Sequence, residues 1–168
     1  MRNGQTDGAL IAVVGKREAL LPLLSAEFPE AAVFDERTRY YPYLSIRDNV
    51  RQLRMMVGEG DAAFLEKLLE LSGLSRLSGW TRPFRKDMTG ELRLFGILEA
   101  MLTRPDTLIG YDLLAGMTAK QRERFAEMAA YYRDSGGRLV YTAQSLKDVQ
   151  QPELTQELRV LGTEAGEA

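Results

Sequence analysis

Residues 9–14 form a continuous apolar run, Ala9-Leu10-Ile11-Ala12-Val13-Val14, that stops at Gly15. An unbroken run of this length is the pattern of a strand buried on both faces of a parallel sheet. Over residues 17–28 the period changes. Leu20, Leu24 and Phe28 recur every four positions, with Leu21 and Leu23 widening the stripe, which predicts an amphipathic helix. Pro22 is expected to limit that helix, because proline lacks an N–H and fits only near a first turn. Residues 31–34 predict a second strand, and Asp35-Glu36-Arg37-Thr38-Arg39 an open polar loop.

The middle of the chain reads as helical. Ser45 followed three residues later by Asp48 predicts a capping pair at the start of a helix that reaches Met56, with two orphan N–H groups satisfied. Residues 62–71 place Phe64, Leu65, Leu68, Leu69 and Leu71 at helical spacing and end at Gly73, where a left-handed cap suits glycine. Another helix is predicted over 90–102, closed by Pro105. Residues 107–111 and 138–142 then read as strands around a helix over 120–132. That helix is expected to bury Phe125, Met128, Ala129 and Tyr132 and to wet Gln121-Arg122-Glu123-Arg124. A last strand is predicted over 157–161, before a small acidic tail expected to fray. Strands alternating with helices predict an α/β fold: a mainly parallel sheet with helices on both faces and a helical insert over about 45–104. No repeat or low-complexity segment interrupts it.

At 168 residues and 45% hydrophobic, the chain suits one domain, residues 1–168. Its 22 basic and 24 acidic residues leave a net charge of −2, so no nucleic-acid partner is expected. The absence of cysteine and histidine excludes disulfides, thiolate nucleophiles, zinc sites and histidine-based triads. The longest apolar run is far below the ~20 residues that cross a bilayer. Residues 1–8 lack a signal pattern. A cytoplasmic protein that is not itself transmembrane is expected.

Particular residues resemble ATP-binding cassette (ABC) ATPases. Tyr41-Pro42-Tyr43-Leu44-Ser45-Ile46-Arg47-Asp48-Asn49-Val50 is similar to the segment that follows the Q-loop there, and Leu68-Leu69-Glu70-Leu71-Ser72-Gly73-Leu74 to a later helix end. Thr89-Gly90-Glu91-Leu92 falls where the family's signature is expected, at the mouth of the helix leading to Pro105. The likeness covers nearly all the chain. It implies a P-loop NTPase fold, ATP and magnesium as ligands, an ABC-type membrane subunit or an intact ABC ATPase subunit as partner, and a place at the inner face of the membrane through that partner.

Residue by residue, the implied chemistry is degraded. A phosphate loop needs Gly-x-x-x-x-Gly-Lys-Ser/Thr, whereas Gly15-Lys16 are followed by Arg17-Glu18, with the earlier glycine and loop missing. Lys16 can be read instead as a solvated side chain after a strand-ending glycine. The hydrolytic strand should end in Asp-Glu. A gap-free match sets Tyr111 and Asp112 there, and a slip of one residue sets Asp112 and Leu113, so one acid cannot fill both posts. Gly116-Met117-Thr118 stands where an aspartate-bearing, partner-sensing motif is expected. Gln144 occupies the place of the switch histidine, and Glu36 lies near that of the Q-loop glutamine. Thr89 and Gly90 keep part of the signature, or simply start a helix.

Two clusters remain. Arg76, Arg82, Arg85 and Lys86, with Trp80 and Phe84 between them, can grip phosphate or a base, or form a solvated face. Tyr40, Tyr41 and Tyr43 lie where the family faces the membrane subunit, and can dock a partner or pack a loop. The sequence therefore predicts a truncated, catalytically degenerate ABC-ATPase-like domain with most of the antiparallel lobe missing. It is expected to act as a non-hydrolysing interaction or regulatory module without a cofactor. Two other readings stand: a subunit that binds or hydrolyses ATP only with an intact partner, and a nucleotide sensor without turnover.

Overall fold

A computed structural model describes residues 8–34, 39–149 and 157–160, and the side chain of Leu158 is outside the description. Among the described residues, five strands, β1 (Ala9–Val14), β2 (Ala32–Val33), β3 (Thr107–Gly110), β4 (Arg138–Ala143) and β5 (Glu157–Val160), form one sheet in the order β2-β3-β4-β1-β5. Every pairing is parallel. The described residues also form the α-helices α1 (Arg17–Glu27), α2 (Ile46–Met56), α3 (Ala62–Ser72), α4 (Thr89–Leu102) and α5 (Ala119–Asp134). The α/β class and the parallel sheet are as expected. Residues 35–38 and 161–168, on which the loop and tail expectations fall, lie outside the described residues.

The chain divides into two compact units. The first comprises the described residues within Met1–Phe34, Pro105–Ala115 and Ala129–Ala168, and contains the sheet, α1 and the end of α5. Ile11 and Val13 of β1, Ile109 of β3 and Val140 of β4 share a face and meet Leu20 and Leu24 of α1 in one buried cluster with Tyr111. The alternate β1 positions, Leu10, Ala12 and Val14, are buried as well, so this strand is covered on both sides. Tyr132 of α5 packs where a Cβ on Gly137 would come within 2.4 Å of its ring, and its hydroxyl donates to the Pro105 carbonyl at 3.1 Å.

Two expectations for α1 are corrected. The helix runs through Pro22. Pro22 is exposed, and Glu18, whose carbonyl loses the N–H that a residue at 22 would otherwise donate, is exposed as well. Leu21 and Leu23 do not widen the buried stripe. They are exposed, because the contact with the sheet is narrow enough for Leu20 and Leu24 to fill it.

The second unit, Asp35–Arg104 with Gly116–Met128, carries α2, α3, α4 and the start of α5. Its core is built from Ile46, Val50 and Leu53 of α2, Phe64, Leu65, Leu68 and Leu69 of α3, and Leu94, Phe95, Ile97, Leu98 and Met101 of α4. Burying each such side chain contributes roughly 1.5–3 kcal/mol. Arg54 and Glu66 make a two-pronged surface bond between α2 and α3 at 2.6 and 3.1 Å. Gly73 ends α3 at φ 69°, as its position predicted.

Helix starts differ in detail. The Ser45 hydroxyl accepts the Asp48 N–H at 3.0 Å, but the Asp48 carboxylate takes the Ser45 hydroxyl at 2.8 Å, so only one orphan N–H is met by the pair. Thr89 is the first residue of α4 and not its cap. Met88 occupies the cap position and makes no side-chain cap bond. The sequence reading missed the reciprocal box at α5, in which the Thr118 N–H donates to Gln121 Oε1 at 2.8 Å and the Gln121 N–H to Thr118 Oγ1 at 3.3 Å. Gln121, Arg122 and Arg124 are half-buried, the Arg124 guanidinium lying where a Cβ on Gly73 would come within 2.2 Å, and of the expected wet face Glu123 alone is exposed.

Candidate functional site

Because β1, β3 and β4 run parallel, with Val14 opposite Ala143 and Gly110 opposite Tyr141, their following residues emerge on one edge of the sheet. Gly15, Lys16, Asp112 and Gln144 are brought together at that carboxyl edge. The connections after β1 and β4 depart in opposite directions along the strand order, which makes this edge the topological switch point where open α/β sheets hold ligands.

The groups there have other commitments. Only Gly15 and Lys16 lie between β1 and α1, and the Gly15 N–H donates to the Ala143 carbonyl at 3.0 Å. Lys16 caps α1 through its carbonyl, which accepts the Ala19 and Leu20 N–H groups at 3.0 and 3.1 Å, while its side chain is exposed. The Arg17 guanidinium lies 5.5 Å from the centre of the Tyr111 ring. Tyr111 is buried, and burial raises its phenol above the ordinary value against the opposing effects of Arg17 and a bond with Ser25. It is a neutral packing group at this edge, and no acid stands in its place.

Asp112 has a left-handed backbone, φ 49°, which aspartate tolerates better than most residues. Its N–H donates to Thr142 Oγ1 at 3.0 Å, and its carbonyl accepts the Ala115 N–H at 3.0 Å, closing a turn. Gln144 is exposed directly after β4. The exposed Lys16 side chain leaves a positive charge at this edge, without a run of successive N–H groups beside it to enclose a phosphate.

The other expected residues belong to the second unit. Gly90 is buried under α5, where a Cβ would come within 2.1 Å of the Gln121 carboxamide. Its small size thus serves the close approach of the α5 cap. Thr89 Oγ1 lies 3.8 Å from where a Cβ on Gly116 would sit. Glu36 lies outside the described residues.

The tyrosines divide. Tyr40 is half-buried, its ring edge-on to Phe84 at 5.6 Å. Tyr41 and Tyr43 are 57% and 91% exposed. Asn49, which the sequence reading did not single out, holds this loop from within: its carboxamide bonds Tyr41, Leu44 and Ser45. No helix among the described residues is long and apolar enough to cross a membrane. No protein-family model and no curated protein matches the chain.

Proposed function

We propose that the chain is a non-hydrolysing interaction module of ABC-ATPase-like, P-loop NTPase architecture. In this reading it docks through Tyr41 and Tyr43 to an ABC-type membrane subunit or an intact ABC ATPase subunit, at the cytoplasmic face of the membrane. The observation that carries it is the connection between β1 and α1. At the edge where a nucleotide phosphate would sit, Gly15 and Lys16 alone join strand to helix, and the Gly15 N–H is already bonded to Ala143. A phosphate nest needs several successive N–H groups turned toward one point. A turn this short cannot supply them, so magnesium–ATP does not fit these residues.

Turnover also needs a positioned base beside the phosphate. Here Tyr111 is buried against Arg17, and Asp112 stands as a single acid. Docking asks less of the chain, because a few exposed aromatic anchors on an ordered loop suffice. The test is phosphate release by the purified protein with magnesium–ATP. Release at the level of a blank, unchanged in Asp112→Asn, is expected. Sustained release abolished by Asp112→Asn would overturn the reading.

A further inference from the structure

The loop that carries Tyr41 and Tyr43 is stitched to a second segment of the same unit. Ser45 and Pro83 form an antiparallel bridge. The Ile46 N–H donates to the Arg82 carbonyl at 2.9 Å, and the Arg47 N–H to the Trp80 carbonyl at 3.0 Å. Buried Phe84 has its ring centre 5.6 Å from that of Tyr40 and 5.4 Å from that of Phe95, so both segments hang from one aromatic stack on α4. What this arrangement leaves outside is mostly of one sign. Arg47 and Arg51 on α2 are exposed, as are Arg82, Arg85 and Lys86 beside them, in a chain of net charge −2.

Two acids of the described residues here are already engaged. Asp48 takes the Ser45 hydroxyl and lies 3.8 Å from Arg47 and 3.7 Å from Arg51, and Asp87 pairs with Arg85 at 3.1 Å. Among the described residues, these two carboxylates pair with Arg47, Arg51 and Arg85, and Arg82 and Lys86 have no ion-pair partner.

We propose that this face receives an acidic segment of a partner protein, its carboxylates meeting these cations while Tyr43 packs against apolar side chains between them. The inference rests on the docking reading above and names the partner's chemistry. Guanidinium forks match carboxylate oxygens in pairs. An exposed tyrosine supplies rigid amphipathic area at little entropic cost. Nucleic acid fits less well, because its affinity comes from phosphates along an extended basic track and the chain as a whole is net acidic.

The experiment uses the full chain and three probes: a labelled peptide of glutamates interrupted by leucines, a labelled oligothymidylate, and phosphatidylserine vesicles. The peptide is expected to bind most tightly and to weaken as salt rises. Arg82→Glu with Lys86→Glu is expected to weaken it about tenfold or more, and Tyr41→Ala with Tyr43→Ala severalfold. Circular dichroism checks that each variant remains folded. No peptide binding, or tighter binding of oligothymidylate or vesicles, overturns the proposal. Binding that survives the charge reversal but falls with the tyrosines overturns the acidic segment and leaves the docking loop standing. Binding indifferent to both overturns both.

Discussion

The side chain of Asn49 pairs with both backbone polar groups of Tyr41. The Tyr41 N–H donates to Asn49 Oδ1 at 2.7 Å, and Asn49 Nδ2 donates back to the Tyr41 carbonyl at 3.1 Å. The same Nδ2 reaches the carbonyls of Leu44 at 3.3 Å and Ser45 at 3.0 Å. Asn49 is 2% exposed, so water cannot easily replace these bonds. They fix a turn that presents Tyr43 to solvent. An aromatic on an anchored turn gives up little freedom when a partner binds it.

Asn49→Asp keeps the size of this side chain but removes its donors and buries a charge beside three carbonyls. The expected cost is about 1–3 kcal/mol, from the bonds left unmade, read as a lower urea midpoint. A midpoint equal to that of the wild type would show that the clamp contributes nothing.

Gly90→Ala tests whether this glycine serves packing. A methyl group here meets the Gln121 carboxamide, which also accepts the Thr118 N–H at the start of α5. Displacing it should cost about 1 kcal/mol, the usual scale of a lost helix cap, seen as a lower melting temperature. In a Gln121→Ala background the same change should cost less, because the colliding group is gone. Equal costs in both backgrounds would contradict the packing role.

Much of the fold was legible because apolar runs and helical stripes are local signals. Residues 9–14 were readable as a doubly buried strand, and Gly73 as a left-handed stop. Pro22 misled because tolerance of a proline depends on whether the orphaned carbonyl meets solvent, which only the packed helix reveals. Leu21 and Leu23 misled because a sequence does not show how wide a contact its stripe will find. The box of Thr118 and Gln121 was written in the chain and could have been read from its spacing. Asn49 could not, since its partner Tyr41 lies across a turn. At the sheet edge, the gathering of Lys16, Asp112 and Gln144 follows from parallel strands, whereas the close packing of Gly90 against Gln121 is visible only once α5 lies over it.

Glu99 gives a pH test. Burial raises its carboxyl above the ordinary value, with Arg39 opposing. The folded state therefore holds this proton more tightly than the unfolded chain does. The resulting stability is full below the unfolded value, near 4.5, and is lost as pH rises through the folded value above it. Glu99→Gln removes the charge, so the variant should melt higher than the wild type at neutral pH, with the gap closing on acidification. A lower melting temperature at neutral pH would show that the Arg39 attraction outweighs burial.

The most direct measurement for the central claim is the melting temperature of the isolated chain as magnesium–ATP is titrated in. A ligand bound by the native state alone stabilises it by RT ln(1 + [L]/Kd), about 2.7 kcal/mol at a hundred times Kd. With Gly15 bonded to Ala143 and only Lys16 between it and α1, no such rise is expected at any concentration. A melting temperature that climbs with ATP in the wild type and stays flat in Lys16→Ala would contradict the account.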